Sequence, residues 1–272
     1  MTLAIETANR GLFAISACYA GDDWGFVCKP ALDGLVDGVI AGTPHAGLVD
    51  ILRKYVPVVL MDVPFSPGTF GLPVVNVNQR NGVWMLARRL HELGHRSVAL
   101  LDIANDLFAP ARTSHFREAA GHYGIKIHPA SGAPREISPA THEAVMRSFA
   151  ELVAPLAKHG EISAVVCPGN TYATTLLENL GPLGVSVPGE CSVTGFDSHV
   201  VGCHGVVSRV TGVGYPWRRL ICAALDTLRR GIDHPGAPPV ETLVEPELVE
   251  GETCAAAKFI GKKNTKTRGV SK

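Results

Sequence analysis

Short apolar runs alternate with longer stretches whose hydrophobic positions recur every three or four residues. The runs Leu12–Ala17, Gly38–Ala41, Val58–Met61, Ser97–Leu101, Ala164–Cys167 and Ser192–Gly195 are short, nearly unbroken and rich in β-branched residues. Strands of that kind are covered by helices on both faces, as in a parallel sheet. Between them the spacing predicts helices. Asn81–Leu93 places Val83, Leu86, Ala87 and Leu90 on one face and stops at Gly94. Ala111–Tyr123 stops at Gly124, and Pro139–Lys158 carries Ala144, Val145, Phe149, Leu152 and Val153. Pro216–Arg230 opens with proline in its first turn and stops at Gly231. Proline fits the first helical turn, and glycine just past the last periodic residue takes the left-handed conformation that ends a helix. The alternation reads as α/β, with blocks before and after Asn78 that are alike enough to form two similar lobes.

Composition narrows the classes. With 272 residues and 46% hydrophobic positions, the chain can bury one large core or two modest ones. Lys plus Arg and Asp plus Glu are both 25, so no global charge draws the chain to phosphate. The seven cysteines form no Cys-x-x-Cys pair, and several lie in apolar runs. Buried free thiols explain them better than a disulfide framework or a zinc site. No basic start leads into an apolar leader, and no apolar run approaches the ~20 residues a bilayer span needs. The reading is a soluble, cytoplasmic protein. Residues 258–272 hold six basic groups and no acid, which fits a solvated, disordered tail.

The loudest motif is His91-Glu-Leu-Gly-His95, a literal zinc-protease signature. That chemistry needs both histidines one turn apart on a continuous helix. Gly94 ends the amphipathic pattern, and a strand starts two residues after His95. A helix end is therefore expected, not a metal site. Nucleophile-elbow, phosphate-loop and dinucleotide-loop motifs are missing, and Gly212-Val-Gly214 is only a fragment of the last. Neither a cofactor nor catalysis is expected.

Polar residues at strand ends remain. Asp62 closes Val58–Met61, Asn170 follows Ala164–Cys167, and Asp197 follows Val193–Phe196. Ligands of open parallel sheets bind outside the carboxyl ends of the strands. Carboxylates and amides there, with one arginine, suit the hydroxyls of a sugar or polyol. The same residues also serve to cap a following helix or turn.

Several segments, in order, resemble the effector-binding core of the lactose-repressor/galactose-repressor family of transcription regulators. They are Val36-Asp-Gly-Val-Ile40, Pro57-Val-Val-Leu-Met-Asp62, Gly82 with Leu90-His-Glu-Leu-Gly-His95, and Arg112-Thr-Ser-His-Phe-Arg-Glu-Ala119. Val187-Pro188 with Ser192-Val-Thr-Gly-Phe-Asp197, Tyr215-Pro-Trp217 and the closing Pro246-Glu-Leu-Val249 complete the series. The resemblance implies two doubly wound parallel-sheet lobes of periplasmic-binding-protein-like type, joined by three crossings, with a small polar ligand between them. One lobe would take residues 1–76 plus 214–239, and the other 77–213 plus 240–257. Asp62, Arg112 and Asp197 match positions that commonly touch the effector. Two departures stand out: the family's Asn-Asp pair is here Gly169-Asn170, so Asn170 replaces the aspartate, and a stacking aromatic is replaced near Ser138.

The resemblance also implies a homodimer and operator DNA bound only through an N-terminal helix-turn-helix domain of ~60 residues that lies outside this chain. The chain would begin inside the first helix, at about Thr2–Arg10. The preceding strand is central in the family's first lobe, and its loss would leave neighbours roughly 10 Å apart unless they close up. The expected function is effector sensing, with a carbohydrate as the expected ligand and, as the alternative, a solute-binding receptor of periplasmic type.

Overall fold

The computed structural model describes residues 2–14, 25–42, 46–64, 67–132, 135–197 and 210–258. In chain order the elements begin with α1 (Thr2–Asn9), α2 (Gly25–Leu32), β1 (Val39–Ala41), α3 (Ala46–Leu52), β2 (Val58–Met61), α4 (Pro67–Phe70) and β3 (Val74–Val77). There follow α5 (Gln79–Glu92), β4 (Ser97–Leu100), α6 (Ala109–Tyr123), β5 (Lys126–Ile127), α7 (His142–Lys158), β6 (Ala164–Val166), α8 (Asn170–Leu180) and β7 (Ser192–Phe196). The last are β8 (Thr211–Gly214), α9 (Trp217–Asp233), β9 (Glu241–Val244) and β10 (Glu247–Val249). Two units result, Met1–Gly82 with Val213–Leu248 and Val83–Gly212 with Val249–Lys272. Their borders fall inside α5, β8 and β10, so the chain passes between them three times.

In the first unit four strands run in the order β1-β2-β3-β9, with every neighbouring pair parallel. The unbroken apolar run at β2 follows from cover on both faces. Val58 and Leu60 join Leu48, Val49 and Leu52 of α3, while Val59 joins Tyr215, Leu220 and Ala224 on the other side. Successive side chains of a strand point to opposite faces, so both parities must be apolar. Helix α9 is amphipathic, burying Leu220, Ile221, Ala224 and Leu225. α1 is fixed to it by Glu6, whose carboxylate accepts from Arg218 Nε at 2.7 Å, and by the Arg10–Asp226 ion pair.

The second unit holds a sheet in the order β10-β8-β7-β6-β4-β5, with β4–β5, β4–β6 and β6–β7 parallel. Ala99, Leu101, Val165 and Val193 pack with Phe149 and Val153 of α7 and Leu176 of α8. Val83, Leu86, Ala87 and Leu90 of α5 are all fully buried, the stripe that their spacing predicts.

The structure corrects several expectations. Of Leu12–Ala17, residues 12–14 are irregular and 15–17 lie outside the described residues. The described strands of the first sheet run without a gap. The chain stays in the first unit past residue 239, because Glu241–Val244 pairs with Val74–Val77 and the border comes only after Leu248. Gly231 does not stop α9, which continues to Asp233 with Gly231 packed towards Pro57. The buried stripe of α7 is Met146, Phe149, Ala150, Val153, Ala154 and Ala157, so Ala144 is exposed and Leu152 is 42% exposed. Small alanines line the packed side there, and size-blind periodicity misses that. The basic tail beyond Lys258, and Cys18 and Cys203, lie outside the described residues.

Candidate functional site

Helix α6 delivers Arg112 to the carboxyl ends of β6 and β7. Asp106 starts the helix: its Oδ1 accepts from the backbone N–H groups of Phe108 and Ala109 at 2.8 and 2.9 Å. One turn later Arg112 is 5% exposed, and its guanidinium stacks between two rings, 4.7 Å from the Phe196 centroid and 5.2 Å from that of Phe108. Nη1 donates to Pro168 O at 2.7 Å, just past the end of β6. Nη1 and Nη2 also reach the two carboxylate oxygens of Asp197 at 3.3 and 3.4 Å. The planar fork thus ties α6 to two strand ends, which a lysine could not do.

Asp197 follows β7 with φ +65°, and its side chain stays 29% exposed. Burial pushes its carboxyl above the usual range, Arg112 opposes that, and Asp106 adds to the rise. The result is an oriented carboxylate with one side open to accept from hydroxyls. Asn170 begins α8 and is half-buried. Gly195 of β7 brings it close: a Cβ there would sit 3.4 Å from Asn170 Cα and 3.2 Å from Ala173 Cβ. Arg112, Asn170 and Asp197 therefore cluster at one end of the second unit's sheet.

Asp62 belongs to the first unit. It follows β2 with φ +53°, its N–H donating to Val75 O at 3.0 Å. The next residue is pinned by a reciprocal pair: Val63 N–H donates to Asn76 Oδ1 at 2.9 Å, and Asn76 Nδ2 donates to Val63 O at 2.8 Å. Asn76, half-buried within β3, escapes sequence reading because it interrupts an apolar run.

Other neighbours of Arg112 were not anticipated. Tyr172 donates to Asp106 Oδ2 at 2.8 Å, and the His142 ring stacks on Tyr172 with centroids 5.7 Å apart. His142 Nε2 lies 3.0 Å from Thr175 Oγ1. Asp106 in front of an apolar helix start carried a capping signal, but its partnership with Tyr172, sixty-six positions on, carried none.

The His91–His95 motif resolves as a helix end. α5 finishes at Glu92, Gly94 has φ +86°, and β4 begins at Ser97. His95 turns inward: Nε2 lies 3.0 Å from Ala255 O and Nδ1 2.9 Å from Ser163 Oγ. It locks a closing strap, for Val193 N–H donates to Thr253 O and Ala257 N–H to Leu93 O, both at 2.8 Å. His91 instead packs on Tyr123. No group of metal ligands assembles among the described residues, and no helix there is long and apolar enough to cross a membrane.

Comparison with known proteins agrees with this architecture. The model of the periplasmic binding protein-like domain matches residues 87–254. The HTH-type transcriptional regulator IpsA of Corynebacterium glutamicum is 28% identical over 245 residues, covering 84% of this chain and 66% of the relative. The HTH-type transcriptional regulator GalR of Escherichia coli is 25% identical over 207 residues, covering 76% and 58%. The chain therefore spans less than two thirds of the length of either regulator. In fold it is similar to the crystal structure of a LacI family transcriptional regulator from Enterococcus faecium with bound ribose. The TM-score is 0.70 at 20% identity, over 94% of this chain and 92% of that one. The matched domain fills more than half of the sequence, and the chain belongs to the periplasmic binding protein-like domain family.

Proposed function

We propose that the chain is the effector-sensing core of a transcription regulator and binds a small polar molecule, a carbohydrate by class. The observation that carries this reading is the Arg112–Asp197 pair, in which a guanidinium held between two aromatic rings orients a partly open carboxylate at a strand end. Asp197 and Asn170 in the second unit and Asp62 in the first are the proposed ligand contacts, with Arg112 orienting Asp197. Acceptors and an amide suit hydroxyl groups, and charge-assisted hydrogen bonds are the strong ones. Two relatives carry the name of transcription regulator, and a neighbour in fold holds ribose. Operator DNA would be read by a helix-turn-helix segment outside residues 1–272, in keeping with the zero net charge of this chain. The working form is a cytoplasmic homodimer, and the reading assigns it no catalysis.

The test is a thermal-shift screen with pentoses, hexoses, sugar acids and nucleobases, followed by calorimetry on each hit. A ligand at a hundred times its Kd stabilises by about 2.7 kcal/mol, which such a screen resolves. Asp197→Asn and Arg112→Ala should each abolish the response. A hit that binds both variants as tightly as the parent places the ligand elsewhere and refutes the assignment.

A further inference from the structure

A second recess lies in the first unit, far from its strand-end aspartate. A cavity of about 370 Å³ opens where the strands begin: Val58 and Val59 of β2, Pro73 just before β3 and Val240 just before β9 line it. Asp62 lies past the other end of β2, a strand length of about 13 Å away.

The lining is one-sided in charge. Arg53 and Lys54 come from the segment after α3, and Arg230 and His234 from the end of α9. No aspartate or glutamate lines the cavity among the described residues. Cations elsewhere in this unit take carboxylates: Arg218 pairs with Glu6, Lys29 with Asp33, and Arg229, next to Arg230, with Asp233. Arg53 shares a 3.2 Å contact with Asp50, but Lys54, Arg230 and His234 make no ion pair among the described residues. In a chain with equal numbers of acidic and basic side chains, such a gathering is a local arrangement.

Thr227 adds a hydroxyl to the lining. It lines the same cavity, is 6% exposed, and makes no hydrogen bond among the described residues. A helical threonine commonly bonds back to its own helix, as Thr175 does to Thr171 O at 3.1 Å. Its oxygen is not among the fully buried atoms that lack a partner, so it keeps contact with solvent and can donate to a guest in the recess.

We propose that this cavity binds an anion, the phosphate group of a small molecule, with Arg230, Lys54 and Arg53 neutralising it and the Thr227 hydroxyl donating to one of its oxygens. Every charged side chain in the lining is a donor, whereas a neutral sugar would also need carboxylate or amide acceptors. The carboxyl end of α9 carries only about half a negative charge, which the cations outweigh several-fold. A recess between a helix end and strand starts admits one phosphate ester, not the backbone of a duplex.

Calorimetry of the full chain with inorganic phosphate, at ionic strength held constant with chloride, tests this directly. Saturable one-to-one binding is expected. Arg230→Gln combined with Lys54→Gln should weaken it at least about tenfold, and Thr227→Val severalfold, since each removes a charge-assisted bond. All three positions leave the apolar core intact, and unchanged thermal midpoints confirm folding. A hexose phosphate should compete with phosphate, and the same hexose without phosphate should not. Failure to saturate below about 10 mM phosphate overturns the proposal. So does equal binding by the double variant, or a short DNA duplex that binds in place of phosphate.

Discussion

Replacing Arg112 with methionine isolates what its guanidinium does, because methionine keeps the bulk and the contact with the Phe108 and Phe196 rings. The 2.7 Å bond to Pro168 O is lost, leaving a buried carbonyl without that donor, at about 1–3 kcal/mol. The contacts with Asp197, at 3.3 and 3.4 Å, are longer than ideal, and that side chain is 29% exposed, so water takes over part of their work. About 1 kcal/mol is a fair value for that part. The total is about 2–4 kcal/mol at pH 7, read from the urea midpoint. The pH dependence sharpens the test. Burial and Asp106 already raise the Asp197 carboxyl, and Arg112 holds it down. Without the arginine the rise is larger, so the folded variant resists ionisation more than the parent. A carboxyl raised on folding costs stability when ionised, and the cost vanishes as pH falls through its folded pKa. The deficit of Arg112→Met should therefore shrink between pH 7 and pH 5. A loss below about 1 kcal/mol, or a deficit that grows on acidification, refutes this account.

Two further outcomes follow from the second unit. Burial lowers the pKa of His95, while an unfolded histidine takes up a proton near 6.5. Stability should therefore fall as pH drops below about 6.5, and His95→Phe should flatten that slope while costing about 1–3 kcal/mol at pH 8, both measured by urea titration. Gly195→Ala would place a methyl group 3.2 Å from Ala173 Cβ and 3.4 Å from the backbone of Gly169 and Asn170. The start of α8 must then shift, at about 1–3 kcal/mol, and any sugar response should weaken with it, as a thermal-shift titration would record.

The parts of the fold that sequence exposes are those where packing is two-sided. Val58–Met61 and Ala164–Val166 are apolar at every position because helices cover both faces, and their runs stand out. β3 is broken by Asn76, whose side chain serves the loop after Asp62, and β9 carries Glu241 and a half-exposed Leu243 on the edge of its sheet. Neither looks like a buried strand, and neither was anticipated. α8 opens with Asn170-Thr-Tyr-Ala-Thr-Thr175, a polar stretch whose helical role depends on the sheet it leans against. Strand-end residues were legible because each closes an apolar run. The shell around Arg112 was not, because Asp106 and Tyr172 meet only through the tertiary fold.

The backbone bears on one question that sequence left open, whether the strand-end polar residues are helix caps. A capping residue has an extended backbone and lends its side chain to the next turn. Asp62 and Asp197 instead have φ of +53° and +65°, and the Asp197 carboxylate faces Arg112. Asn170 is already helical, with the extended Gly169 before it in the cap position. None of the three therefore has the extended backbone of a helix N-cap. Left-handed backbone costs an ordinary L-residue roughly 1–2 kcal/mol, and aspartate bears it better than most. Each of the two units places such a residue directly after a buried parallel strand, the position at which open sheets present groups to a ligand. Aspartate takes that conformation readily in a turn, so the same choice of residue at the same point of two separate sheets fits both a turn and the proposed site. Under the proposed function, the left-handed turn after β7 would carry the partly exposed Asp197 carboxylate past the strand end, where a hydroxyl could meet it.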